Sequence, residues 1–294
     1  MRQKCSLVLS DGSRFQGYLI GAPLKSSGEM VFTTGMVGYS EAITDPSYFG
    51  QILTFTYPLI GKYGIPEFPS ELPLPLPRGY ESSKAQAAGV ILTVDSPETF
   101  HWNSLHSLDT WLEKQGVPAV IGIDTRLLVH LIRSKPNLKG RIEPEEAQGY
   151  RSFGDQLTPT NPTAFFDPSA QNIIDQVSTK ERVVLGKGKK RVGLIDTGVK
   201  WNIIRQFNEK DCEVELIPWT TDLSTVDCDM WMLSNGPGDP TRTGDLVQRV
   251  RTLLAEDRPI LGICLGHQIL SLAAGANTTR MPYGHRSHNQ PVYL

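Results

Sequence analysis

The sequence predicts an α/β protein of two domains: a mixed, strand-rich N-terminal domain over residues 1–180 and a doubly wound parallel sheet over 191–294. Three observations predict it. Beyond Arg191, strand and helix patterns alternate strictly, the mark of parallel strands joined by helical crossovers. Residues 5 to about 60 read instead as short alternating strands separated by glycine turns. A chain of 294 residues is also about two domains' worth, at ~100–200 residues per domain.

Leu7 and Leu9 alternate with polar neighbours as a first strand, Asp11-Gly12 is a hairpin turn signal, and 15–20 is the returning strand. Residues 29–34 and 51–56 read as the third and fourth strands, with Gly35, Gly38 and Asp45-Pro46 supplying irregular backbone between them. The proline-rich stretch 66–77 can feed neither a sheet ladder nor a helix interior. It reads as an extended surface loop, an insertion rather than a ligand for a proline-recognition domain. A buried strand over 88–93, a helix over 107–115, a strand over 119–123 and a helix over 125–133 follow. Asp124 or Thr125 caps that last helix, and Leu127, Leu128, His130, Leu131 and Ile132 fill much of its face. Residues 135–172 read as a polar, irregular tract, and 186–191 (Gly-Lys-Gly-Lys-Lys-Arg) as a solvated hinge. In the second half, strands are expected over 191–197, 212–218, 229–234 and 259–263, and helices over 199–210, 242–255 and 266–274. Leu246, Val247, Val250, Leu253 and Leu254 form one apolar stripe on the middle helix.

Composition excludes several classes. With 39% hydrophobic and 20% charged residues, the chain has material for real cores and is not a disordered tail. A net charge of −2 asks for neither nucleic acid nor an anionic membrane as partner, and six basic-hinge residues do not make a nucleic-acid face. Cys5, Cys212, Cys228 and Cys264 lie far apart without a CxxC pair, which argues against a zinc ribbon and for a reducing compartment. The first dozen residues read as strand and turn rather than as a signal core, and no run approaches the ~18 apolar residues of a membrane helix. A cytoplasmic location is expected. Gly186-Lys187-Gly188-Lys189 lacks the spacing and the following Ser or Thr of a P-loop, so no nucleotide or metal site is expected in this chain.

Two loops carry chemistry, and in a doubly wound sheet both lie beyond the carboxyl ends of strands. In Gly262-Ile263-Cys264-Leu265-Gly266-His267-Gln268 a buried strand runs into Cys264 and a helix begins directly after it. This is the pattern of a nucleophile elbow, in which a sharp strand-to-helix turn projects the nucleophile and the flanking glycines avoid clashes with neighbouring backbone. A thiol there sits at a helix N-terminus, whose partial positive charge favours thiolate, and the Leu265 N–H is aimed where an oxyanion would form. The second loop is Leu233-Ser234-Asn235-Gly236-Pro237-Gly238-Asp239-Pro240, where Gly236 and Gly238 allow backbone to approach a substrate closely.

These two loops resemble the class I (triad) glutamine amidotransferases. The N-terminal half narrows the resemblance: residues 38–48 (Gly-Tyr-Ser-Glu-Ala-Ile-Thr-Asp-Pro-Ser-Tyr), 51–54, Tyr57-Pro58 and 122–126 (Gly-Ile-Asp-Thr-Arg) are similar to the small, glutaminase subunit of carbamoyl-phosphate synthases, over essentially the whole chain. The resemblance implies that glutamine is hydrolysed here. Ammonia would then pass through a tunnel to a large synthetase subunit, or a fused synthetase region, that combines it with bicarbonate using ATP and Mg. It implies Cys264 as the nucleophile forming a glutamyl thioester, and Ser47, Gly236, Gly238, Leu265 and Gln268 as the L-glutamine site. Lys200 and Asn202 match a Lys-x-Asn of the family, with Thr197-Gly198-Val199 a slight departure, and His267 reads as structural. Products feeding arginine or pyrimidine synthesis, and a heterodimer, are implied in the same way.

One departure remains. A thiol nucleophile needs a base and an orienting carboxylate, which the family supplies as a His-x-Glu pair downstream. No His-x-Glu follows Cys264 before Leu294, and His285 and His288 match a surface turn rather than that pair. The expectation is a C-terminally truncated, partial amidotransferase domain whose glutaminase turnover is impaired. The alternative is a non-hydrolytic glutamine-binding or structural partner of the synthetase.

Overall fold

The computed structural model describes residues 2–68, 76–96, 98–152, 164–281 and 284. The N-terminal half closes on itself. Strands β1 (Lys4–Leu9), β2 (Arg14–Gly21), β3 (Ser26–Thr33), β4 (Gln51–Phe55), β5 (Gly89–Ile91), β6 (Pro118–Ile121) and β7 (Lys139–Pro144) form a closed barrel in the order β1-β2-β6-β5-β4-β3-β7. Helices α1 (Tyr39–Thr44), α2 (Leu108–Lys114) and α3 (Thr125–Ser134) connect its strands. The Asp11-Gly12 turn joins β1 and β2 as an antiparallel pair, whereas β3–β4, β4–β5 and β5–β6 are parallel pairs, the first connected through α1 and the last through α2.

Two apolar layers follow from the strand alternation. Leu7, Met30, Ile52, Ile91, Val120 and Ile142 gather with Leu128 and Ile132 of α3. Leu53, Phe55 and Val90 point the opposite way, under Ile43 of α1 and Leu108, Trp111 and Leu112 of α2. Asp124 caps α3 by accepting the Leu127 N–H at 2.9 Å, and Ser107 caps α2 by accepting the Thr110 N–H at 3.2 Å.

Several elements differ from expectation. The tract read as irregular contains β7, which pairs with both β1 and β3 and closes the barrel. Its inward positions hold Gly140, Ile142 and Pro144, so one large apolar residue was all its periodicity offered. Gly140 packs closely there: a Cβ would lie 2.3 Å from Met30 Sδ, so the methionine side chain would have to move. Between Gly38 and Asp45, a stretch to which the sequence reading assigned no element, residues 39–44 form α1, and Pro46–Tyr48 add a short 3₁₀ turn. Of the proline-rich stretch, 69–75 lies outside the described residues, but Phe68 packs edge-on against Tyr80 and Trp111, and Leu76 is buried. The ends of that stretch therefore belong to the core rather than to the surface.

In the second half β8 (Val183–Leu185), β9 (Lys190–Asp196), β10 (Cys212–Pro218), β11 (Met230–Leu233) and β12 (Ile260–Gly262) form one sheet in the order β12-β11-β9-β10-β8. All pairs are parallel except β8 with β10. Strand β8 ends directly before the segment read as a hinge. The hinge cations Lys189, Lys190 and Arg191 pair with Asp211, Asp229 and Glu213, so they offer no unopposed basic face. Helix α4 (Trp201–Asn208) covers one face of the sheet, over Val192, Leu194, Val214 and Met232, while α5 (Gly244–Leu253) and α6 (Leu265–Ala273) cover the other, over Ile195, Ile217, Trp231 and Leu233. Leu246, Val247, Val250 and Leu253 are buried on α5, whereas Leu254, one residue past its end, is exposed. The α4 face continues through Val199, Trp201 and Ile204 into the same apolar cluster as the outer layer of the barrel. Among the described residues no helix is long and apolar enough to cross a membrane.

Candidate active site

Strand β12 ends at Gly262, the Ile263 N–H still bonds across to the Leu233 carbonyl at 3.1 Å, and the chain then reverses at Cys264 with φ 52° and ψ −112°. That conformation costs a non-glycine residue ~1–3 kcal/mol and persists only where its surroundings enforce it. Here they do. A Cβ on Gly262 would lie 2.7 Å from the carbonyl of Gly266, and one on Gly266 would lie 2.3 Å from the Leu233 carbonyl oxygen. The Gly266 N–H donates to the carbonyls of Ser234 and Ile263, both at 3.0 Å, and the Gln268 N–H to that of Cys264 at 3.1 Å, starting α6. Cys264 is therefore held as the N-cap of a helix, with its residue exposed at the surface. Leu265 is buried under it, and Gln268 and His267 are exposed on the first turn.

The opposing loop is fixed from below. The Thr197 N–H donates to Ser234 Oγ at 2.9 Å, and Ser234 Oγ donates to the Asn235 carbonyl at 2.8 Å. Gly236 is buried, and a Cβ there would meet the Thr197 carbonyl oxygen at 2.0 Å and Leu265 at 2.9 Å, so its close approach is to the elbow and the β9 loop. Gly238 is exposed at φ +89°, a backbone that favours glycine. Gly238 and Gln268 line one cavity of about 270 Å³ with Glu29 and Gln51 of the barrel and Arg280. Glu29 accepts from Gln51 Nε2 at 2.7 Å and from Arg280 at 3.1 Å, so this cavity lies between the barrel and the segment after α6.

Ser47 reaches the site from the barrel. Asn235 Nδ2 donates to Ser47 Oγ at 2.8 Å, while Asn235 Oδ1 accepts the Lys200 N–H at 3.0 Å. Asp45 accepts the Ser47 N–H at 2.9 Å and pairs with Lys200 Nζ at 2.8 Å. Burial works against the Lys200 ammonium, but Asp45 outweighs it and the amine is held above its usual range. The structure thus brings Ser47 to the residue before Gly236, and Cys264, Leu265 and Gln268 to one elbow; His285 and His288 lie outside the described residues. Reading the residues singly missed Asp45, Asn235 and Asp196, although the first two stand inside the quoted motifs. Asp196 is buried at the end of β9, where it accepts the N–H groups of Thr179, Gly198 and Val199.

Residues 7–142 match the family profile of the carbamoyl-phosphate synthase small chain, CPSase domain, and 193–294 that of class-I glutamine amidotransferase. The chain is 42% identical over 296 residues to a mitochondrial carbamoyl-phosphate synthase [ammonia] of Aquarana catesbeiana, covering 99% of this chain and 19% of that protein. It is 43% identical over 289 residues to the multifunctional protein CAD of Squalus acanthias, covering 97% of this chain and 12% of that protein. The chain thus spans a fifth or less of those two relatives. Against the carbamoyl phosphate synthase arginine-specific small chain of Candida albicans it is 39% identical over 299 residues, covering 98% of this chain and 67% of that one. With a relative of its own kind matched over two thirds of its length and a barrel-plus-elbow architecture that both profiles cover, the chain belongs to the carbamoyl-phosphate synthase small-chain family.

Proposed function

We propose that this chain is the glutamine-hydrolysing part of a carbamoyl-phosphate synthase, supplying ammonia for the synthesis of carbamoyl phosphate from glutamine, bicarbonate and ATP. The observation that carries the reading is the strained, exposed Cys264, locked by Gly262 and Gly266 against the Ser234 loop. In the proposed reaction Cys264 Sγ, having lost its proton, attacks the side-chain amide carbon of glutamine. The oxygen of the tetrahedral intermediate is received by the N–H of Leu265 and by backbone at Gly236 and Gly238. The C–N bond breaks as the nitrogen gains a proton and leaves as ammonia, and water cleaves the resulting thioester to glutamate and free thiol. Ser47 and Gln268 hold the substrate's α-amino and α-carboxylate groups.

The ammonia acceptor is a synthetase polypeptide, separate or fused, that carries the ATP and Mg; this chain contributes no cofactor. The relatives support such a partner, since some are named small chains and others are much longer multifunctional proteins. The test is Cys264→Ser combined with a synthetase chain. Glutamine-dependent synthesis is expected to be abolished and ammonia-dependent synthesis retained, whereas loss of both would give the cysteine a structural role. Glutamate release by the chain, alone and with the synthetase, reads the base. A near-normal rate places a proton acceptor within these residues, and a rate lower by about six orders of magnitude is what a nucleophile without its triad base gives.

A further inference from the structure

We infer that Glu81, a buried residue of the barrel half, is a positioning residue for the glutamine site. The inference rests on the proposed function and deepens it. Lys200, the N-cap residue of α4, makes no side-chain capping bond of its own. The cap comes from the other half of the chain. Glu81 Oε2 accepts the Asn202 N–H at 2.8 Å, its backbone carbonyl accepts the Trp201 N–H at 3.1 Å, and its Oε1 accepts from Arg205 Nη2 at 3.1 Å. The first amides of a helix have no partner within it, and a carboxylate there is favoured by the helix dipole. Glu81 is only 7% exposed, so the charge is held by these donors rather than by water.

The same residue grips the turn that carries Ser47. The Glu81 N–H donates to Thr44 Oγ1 at 2.9 Å, and Ser82 Oγ donates to the Thr44 carbonyl at 2.6 Å. Thr44 leads directly into Asp45, which holds the Ser47 N–H on one side and Lys200 Nζ on the other. The hydrogen bonds therefore close a circuit: start of α4, Glu81, Thr44, Asp45, Lys200, start of α4. Ser47 and Asn235 hang from that circuit, one from each half of the protein. Its closure fixes how far the barrel's serine stands from the loop carrying Gly236, and Glu81 joins the two sides, holding α4 through its carboxylate and the Thr44 turn through its backbone N–H.

The test uses Glu81→Gln, which keeps the shape and one acceptor but turns an amide NH₂ toward the Arg205 or Asn202 donors. Two alkylations of Cys264 on the full chain are compared: saturable inactivation by a chloroketone analogue of glutamine, and reaction with iodoacetamide, which needs no substrate contacts. The expected result is a half-saturating analogue concentration raised about tenfold, equivalent to losing one charged hydrogen bond. The limiting inactivation rate and the iodoacetamide rate should stay within about twofold. Thr44→Val, which breaks the next joint without touching the carboxylate, should shift the same parameter in the same direction. Equal losses in both alkylations would make Glu81 merely structural and overturn the inference. Unchanged half-saturation in both variants, beside a wild type that saturates and is protected by glutamine, would overturn this inference alone. A wild type that neither saturates nor is protected would overturn the glutamine reading and this inference with it.

Discussion

A thiol serves amide hydrolysis only if it is reachable and can ionise, and the cysteines of this chain separate on that criterion. Cys5 is buried on β1, and burial pushes its thiol up to about 12. Cys228 is also buried and its thiol is raised by burial. Cys264 alone is exposed among the described residues. Iodoacetamide at neutral pH is therefore expected to label Cys264 first and to spare Cys5 and Cys228 until the protein unfolds, as peptide mapping of a time course would show. The glycines beneath it are equally testable. Gly266→Ala places a methyl 2.3 Å from a backbone oxygen that cannot swing away, which should cost about 1–3 kcal/mol in thermal or denaturant unfolding and slow Cys264 alkylation. Asp196 offers a pH signature. Burial pushes its carboxyl above the usual carboxylate range, against the pull of the amides of Thr179, Val199 and Gly198. A group raised in this way favours folding in its protonated form. That contribution is fully present below the unfolded value, about 4, and is lost as pH rises through the folded one. Unfolding measurements from about pH 4 upward should show this descending component in wild type, and Asp196→Asn should remove it. The elbow was legible in the sequence because its glycine spacing is a local steric demand. The Asn235–Ser47 contact was not, since it joins residues 188 positions apart and no local pattern encodes that distance.

At the scale of elements, the strands that could be read were those whose inward positions are large and apolar, such as Leu7 and Leu9 of β1 or the wholly buried Ile-Leu-Thr-Phe of β4. The strand that closes the barrel was illegible for the opposite reason. The inward side of β7 is Gly140, Ile142 and Pro144, so one large apolar residue stands between a glycine packed under Met30 and Leu7 and an imino residue. Closure itself has no local signal, because β7 must pair with β1 some 135 residues earlier, Leu9 opposite Gly140 and Cys5 opposite Pro144. The short helix α1 escaped notice because it is one and a half turns long and begins at Gly38 in a left-handed conformation, without a capping side chain. These features make β7 a sensitive element. Gly140→Val should force Met30 and Leu7 apart and destabilise the protein by about 1–3 kcal/mol, a larger effect than Ile142→Val at about 0.5–1.5 kcal/mol, where the strand only loses a methyl group. Reversal of that order in denaturant titrations would mean that the barrel relaxes around β7.

For the whole molecule, the question is whether the barrel and the parallel sheet behave as one body. Domains joined by small polar interfaces move and melt separately, whereas a large apolar interface couples them. Here one apolar cluster runs from Ile43, Leu53 and Tyr80 on the barrel side to Val192, Ile204 and Met232 on the sheet side, with Trp201 at the joint. Around it stand the charged contacts Lys200–Asp45 and Arg205–Glu81, whose carboxylates are nearly inaccessible and tie the two halves together across the joint. Parting would also expose the apolar side of α4 that faces the barrel, around Trp201. The protein is therefore expected to unfold in a single transition, with calorimetric and van't Hoff enthalpies equal and with tryptophan fluorescence and far-UV circular dichroism coincident. Trp201→Ala removes the largest side chain at the joint, at a cost of about 3–5 kcal/mol, and should separate the melting of sheet and barrel into two transitions. Two transitions already present in the wild type would show that the halves are coupled only by the polar circuit at Asp45 and Glu81, and that the shared cluster does not transmit stability between them.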